Sequence, residues 1–170
     1  EEDDETGQRI LRGMGELHLQ IIFERIEREF NIKLRAGRPR VTTRETVQTE
    51  GSANVTLNKK FKAGDKDIHL HARAKVLAEP SSRGAGVLAQ VKNYAILPEG
   101  TNLNAAQLEA IESGVNDSLS GGPIEGAILQ DVSVRLEAVE VFGSASSPQA
   151  LRMVCAQAVR EALINAGGAR

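Results

Sequence analysis

The sequence predicts an α+β protein made of two layered units, and three observations carry that reading. Runs that alternate apolar and polar residues are interspersed with stretches whose apolar residues recur every three and four positions. The two patterns come in mixed order, which favours sheets with helices packed on one face. The first 47 residues offer only two or three strands and one helix. A sheet that small buries too little surface to stand alone, so residues 1–47 read as part of a domain and 48–170 as a domain of their own. The stable unit is expected over residues 52–166.

Gln8 to Leu11 reads as a short strand ending in the turn Gly13-Met14-Gly15, where glycine permits positive φ. A helix is expected from Glu16 to Phe30, with Leu19, Ile22, Phe23, Ile26 and Phe30 on one face. Glu24 and Arg28 stand four apart on its polar side. Asn31 ends it. Ile32 to Arg35 and Arg40 to Val47 read as extended segments separated by Gly37 and Pro39. Gly51 marks a boundary. Ala53, Val55 and Leu57 alternate with polar residues, and so do Ile68, Leu70, Ala72, Ala74 and Val76. Two such runs around Gly64-Asp65 read as a hairpin with a turn-rich basic tip over 59–67. Pro80 to Gly84 is a loop and Val87 to Val91 a further strand. A second helix is expected from Asn104 to Leu119, buried through Leu108, Ile111, Val115 and Leu119 and stopped by Gly121-Gly122-Pro123. Ile128 to Phe142 reads as one long strand. A third helix begins near Pro148 behind the N-cap Ser147, buries Leu151, Val154, Cys155, Ala158 and Ala162, and ends at Gly167-Gly168.

Composition narrows the function. The chain has 170 residues, 41% of them hydrophobic but only 3% aromatic and none Trp, so its core must be aliphatic. No run approaches the roughly 20 apolar residues of a membrane span, and the acidic start Glu1-Glu2-Asp3-Asp4-Glu5 is no secretory signal. A single cysteine excludes an intrachain disulfide and suits a reducing cytoplasm. Net charge is −2, yet residues 8–50 hold nine Arg or Lys against six Asp or Glu. A local basic surface can meet phosphates on a chain that is acidic overall.

Little in the sequence suggests catalysis. There is no Gly-x4-Gly-Lys-[Ser/Thr] loop and no Gly-x-Gly-x-x-Gly. His69 and His71 share a strand face, but no Cys, Asp or Glu at ligand spacing completes a metal site. His18 has no nucleophile near it in sequence, and Cys155 lies in an apolar stripe. The hairpin tip stands apart. Lys59, Lys60, Lys62 and Lys66 flank Gly64 and outnumber Asp65 and Asp67, and long cationic side chains on a projecting hairpin suit an RNA backbone.

Several segments resemble a known family. Thr6-Gly7-Gln8, the string Gly13-Met14-Gly15-Glu16-Leu17-His18-Leu19-Gln20-Ile21-Ile22 and Arg28-Glu29-Phe30-Asn31 closely resemble the second half of domain III of the elongation factor G / elongation factor 2 family of ribosomal translocases. Gly13 to His18 also occur in related ribosomal GTPases, including ribosomal protection proteins. Gly37-Arg38-Pro39-Arg40-Val41 and Arg44-Glu45-Thr46-Val47 look like the passage into domain IV. The likeness continues through Ser120-Gly121-Gly122-Pro123-Ile124-Glu125-Gly126, Asp131 to Leu136, Ser146-Ser147 and Arg160 to Leu163.

This resemblance implies an incomplete ferredoxin-like half-domain followed by a ribosomal protein S5 domain 2-like fold with a left-handed βαβ crossover; general physics alone favours the right-handed form. It implies a cytoplasmic parent whose absent N-terminal domain binds GTP and Mg, while this portion is no enzyme and holds no cofactor. The implied partners are the ribosome, through ribosomal RNA and the tRNA–mRNA in the decoding site, and other domains of the same parent. An open sheet edge in residues 1–47 would add self-association. The implied contacts are Lys59, Lys60, Lys62, Gly64 and Lys66 on one tip loop and Phe142, Gly143, Ser144, Ala145 and Ser146 on the other, both at one end of the domain. Two departures stand out: the first loop has one glycine where the family is glycine-rich, and Phe142 falls where the family carries histidine. Recycling or ribosome protection is the alternative within the family, and a non-translational α+β interaction domain the alternative outside it.

Overall fold

A computed structural model describes every residue from Glu1 to Arg170. It divides into two compact units, Glu1–Thr42 and Thr43–Arg170.

The first unit holds one helix, α1 (Glu16–Phe30), closed by Asn31 in the left-handed conformation at φ 53°. Leu19, Ile22, Phe23 and Ile26 are half-buried, whereas Phe30 is exposed. The ion pair on its polar side joins Arg25 to Glu29 rather than Glu24 to Arg28. The strands expected at 8–11 and 32–35 do not form, and Glu2 and Arg9 meet in an isolated antiparallel bridge. A strand needs neighbours to satisfy its backbone groups, and this unit supplies none. The open edge anticipated for residues 1–47 is therefore missing from it.

The second unit contains β1 (Arg44–Val47), β2 (Gly51–Ala63), β3 (Lys66–Pro80), β4 (Val87–Gln90), β5 (Ala95–Leu97), α2 (Ala105–Leu119), β6 (Ile128–Leu129), β7 (Val132–Val141), α3 (Pro148–Asn165) and β8 (Gly168–Ala169). The main sheet runs in the order β2-β3-β7-β4, with β5 also on β7. β2, β3 and β7 are antiparallel neighbours, while β4 and β5 run parallel to β7. The chain between these parallel strands passes through α2, which makes the βαβ crossover of an S5 domain 2-like fold. A small sheet, β6-β1-β8, completes the unit. β1 thus belongs to the second unit, and the compact units divide between Thr42 and Thr43 rather than at 47, because its backbone partners are β6 and β8.

One sheet face is covered by α2 and α3. Ala53, Val55, Leu57, Leu70, Ala72, Ala74, Val76, Val134 and Leu136 pack there against Ile111, Val115, Leu151, Val154 and Val159. The core is aliphatic, as composition requires. Leu108 is 45% exposed, contrary to the stripe expected for α2, and Ala110 and Gly114 are buried in its place. A Cβ on Gly114 would collide with the backbone of Arg152, so these small residues let α2 and α3 approach closely. Gly51 marks close packing and no boundary: a side chain there would strike the backbone at Asn165 and Ala166.

The strand expected from 128 to 142 is broken at Asp131, whose φ is +56°. Its carboxylate accepts the N–H groups of Gly84 at 2.9 Å and Gly86 at 3.1 Å. The kink sends β6 to one sheet and β7 to the other.

Candidate nucleic-acid interface

The site begins with the β2–β3 hairpin. Its strands stay paired as far as Ala63 and Lys66, so the turn is only Gly64-Asp65 and not the longer loop expected. Gly64 has φ +66°, which suits the positive-φ turns that match strand twist. Pairing of β3 with β7 stops at Ala72–Val141. From Lys66 to His71 the hairpin has no further strand neighbour, a length of roughly 20 Å at about 3.3 Å per residue, although its base still packs: Leu70 is buried, Ile68 rests against the core and the His71 carbonyl is bound by Ser146.

Register divides the lysines. Lys59 stands opposite Leu70 and Lys66 opposite Ala63, on the side that carries Phe61 and Ile68. Lys60 stands opposite His69 and Lys62 opposite Asp67, on the side facing away from the helices. The four lysines therefore share one end of the unit but two faces. All four are exposed, and none forms an ion pair.

β7 runs antiparallel to β3, so its C-terminal end points toward the hairpin turn and delivers the second loop there. Gly143–Ala145 form a short 3₁₀ turn in which Gly143 and Ser144 are exposed and Ala145 half-buried. Ser146 is 1% exposed, which corrects its place among the expected contact residues. Its hydroxyl donates to the His71 carbonyl at 2.6 Å and accepts the Phe142 N–H at 2.7 Å. Its carbonyl accepts from Gln107 Nε2 at 2.9 Å. Ser146 fastens the second loop to β3.

Phe142 lies flat on His71, with ring centroids 3.7 Å apart and planes 2° from parallel. His69 follows at 5.5 Å from His71, and its Nε2 is 2.7 Å from Asn58 Oδ1. Sequence reasoning placed both histidines on one strand face and found no metal site for them. The signal available was their two-residue spacing, but the ring beside them arrives from β7, and only register reveals that. Farther along this face the charges are paired across strands: Arg73–Glu140 at 2.8 Å, Lys75–Glu137 at 3.4 Å and Arg135–Glu79 at 3.6 Å.

The remaining signature segments are architectural. Glu45 on β1 is fully buried. Its carboxylate accepts the N–H groups of Ile124 at 2.8 Å, Glu125 at 2.9 Å and Ala127 at 2.9 Å. Burial by itself would raise its pKa. These amides, with that of Gly126, outweigh burial and hold the carboxyl below the ordinary glutamate value. A Cβ on Gly122 would overlap the same carboxylate, so the glycine makes room for it. Arg44 to Val47 and Ser120 to Gly126, far apart in sequence, are joined by one side chain. In the first unit Gly13 and Gly15 do not adopt positive φ. A Cβ on Gly13 would lie 2.7 Å from Leu19 Cδ2, and His18 Nδ1 accepts the Met14 N–H at 3.3 Å. Met14 and Leu17 are largely exposed, and Glu16 opens α1.

No group of three or more His, Cys, Asp or Glu could hold a metal ion. No helix is long and apolar enough to cross a membrane.

Comparison with known proteins follows these divisions. The family model for domain III of elongation factor G matches residues 1–38, and that for domain IV matches residues 39–167. Elongation factor G 2 of Syntrophus aciditrophicus is 34% identical over 163 residues, which is 95% of this chain and 23% of that protein. Elongation factor G 1 of Geobacter sulfurreducens is 32% identical over 166 residues, 98% of this chain and 23% of that protein. The chain thus spans about a quarter of the length of these relatives. A crystal structure of a protein from Thermus thermophilus superposes with a TM-score of 0.60 at 22% identity, over 99% of this chain and 24% of that one, a likeness of fold.

Proposed function

The chain belongs to the elongation factor G family, and on that footing we propose that it is the part of a translational GTPase that carries the hairpin tip into the ribosomal decoding region. There it promotes translocation of tRNA and mRNA. GTP and Mg act in another domain of the cytoplasmic parent, and this portion takes no catalytic step. The observation that carries the reading is the two-stranded end of β2–β3, which runs past its last pair with β7 and presents four lysines without ion-pair partners. A narrow basic hairpin end suits insertion into a site lined by phosphates. Phe142 favours a second reading, a specialised factor for recycling or protection, because phenylalanine can stack on a base but cannot donate to a phosphate or a 2′-hydroxyl.

Co-sedimentation with ribosomes over a salt series tests the proposal. Replacing Lys59, Lys60, Lys62 and Lys66 by Ala is expected to weaken association and flatten its salt dependence, since fewer counterions are released. Equal binding by the variant at every salt concentration would overturn it. Phe142→His in the full-length parent is expected to change the translocation rate more than ribosome affinity.

A further inference from the structure

We propose that the rings of His71 and Phe142, continued by His69, form a stacking site for an unpaired base of single-stranded RNA, with Lys60 and Lys62 on the adjoining phosphates. The inference rests on the reading that this end of the unit meets RNA, and it assigns the face and the residues that would do so.

The rings stand on the sheet face opposite the helices, where they serve no core. They are half-buried, and their neighbours there are polar or charged rather than apolar. The platform exists without a ligand. The centroid separation of 3.7 Å and the 2° tilt match the spacing of stacked aromatic planes. Its backbone is fixed as well, because the Ser146 hydroxyl binds both the Phe142 N–H and the His71 carbonyl. A rigid platform loses little conformational entropy when it binds.

The surroundings select the ligand. Arg73 is engaged by Glu140, whereas Lys60 and Lys62, nearer the turn, make no ion pair, so net positive charge on this face lies on the turn side of the rings. Asp67 opposite Lys62 offsets only part of it. Asn58, held against His69, adds a side-chain amide able to meet a base edge. Flat aromatic groups on adjacent strands with cations beside them suit an unstacked base followed by phosphate. Duplex bases are already stacked on one another and offer no free face.

Fluorescence anisotropy with the full chain tests this, using labelled octamers of adenylate, the same octamer with abasic sites, and an RNA duplex. The adenylate octamer is expected to bind about 5- to 100-fold more tightly than the abasic one. Phe142→Ala and His71→Ala should remove that preference, and His71→Phe should retain it, with circular dichroism melts showing each variant folded. If a folded Phe142→Ala chain still prefers adenylate, or if the wild type binds the abasic octamer equally well, the stacking site is refuted. That outcome leaves the ribosome reading standing, because the lysine-dependent sedimentation does not require base contacts. Loss of the sedimentation effect with base preference intact would refute the ribosome reading alone.

Discussion

Glu45→Gln tests how the second unit is held together. The wild-type carboxylate is fully buried, with Oε2 bound by the Ile124 N–H and Oε1 by those of Glu125 and Ala127. Glutamine keeps the shape but has one acceptor oxygen. Its less costly orientation leaves that oxygen on Glu125 and Ala127 and turns the NH₂ toward the Ile124 N–H. The Ile124 N–H and the NH₂ facing it are then two buried donors without acceptors, costing about 1–3 kcal/mol each, and two charge-assisted bonds become neutral at about 1 kcal/mol each. The expected loss is about 4–8 kcal/mol, or roughly 15–30 °C in Tm for a unit of this size. Urea melts followed by far-UV circular dichroism would measure it, since the chain has no Trp and one Tyr. The dependence on pH has a definite sign. With the folded pKa lowered, the unfolded chain binds more protons in acid. Stabilisation by Glu45 is complete above the unfolded glutamate value of about 4.3 and declines as pH falls through the folded value. The gap between wild type and Glu45→Gln should therefore be widest near neutrality and narrow in acid. A Gln variant within about 0.5 kcal/mol of wild type at pH 7, the usual range for surface substitutions, would refute the reasoning. So would a gap that does not change with pH.

Gly114→Ala should destabilise the unit by about 1–3 kcal/mol despite alanine's higher helix propensity, because the added carbon meets the Arg152 backbone; denaturant melts check this. Cys155 is buried and its thiol is pushed up to about 12 by desolvation, so iodoacetamide at pH 8 should label it only when the chain unfolds. Rapid labelling of the native protein would contradict that burial. The chain should bind no GTP, since no phosphate-binding loop is present, and calorimetry showing one-to-one binding at micromolar affinity would overturn the expectation.

Much of the second unit was legible in the sequence because its periodic patterns are long. The β2–β3 alternation located the hairpin, and the apolar stripe of α3 matches the residues buried there. Expectations failed where a residue's role depends on something distant. Leu108 fits a helical stripe, yet α2 turns Ala110 and Gly114 toward α3, a choice set by helix–helix approach. Asp131 looks ordinary within an apolar run, but two loop amides hold it at positive φ and break the strand. In the first unit the extended segments had strand-like composition and no partner strand. At the tip, sequence located both loops, and their common end follows from the antiparallel β3–β7 pairing. The division of the lysines between two faces, the latch at Ser146 and the ring stack on His71 each require register, which composition does not carry.

The central claim, that the hairpin tip enters the decoding region, is tested most directly by a probe placed at the turn. Asp65→Cys puts a reactive thiol at the end of the hairpin; Cys155, the one cysteine of this chain, is buried, and any cysteine elsewhere in the parent is first replaced by serine. Tethering an iron chelate there in the full-length parent and mapping hydroxyl-radical cleavage of ribosomal RNA reports what lies within reach. Cleavage concentrated in the decoding region of the small subunit, and lost when the parent is omitted or its four tip lysines are replaced, is the expected result. Cleavage confined to other parts of the ribosome, with the parent demonstrably bound, would contradict the account.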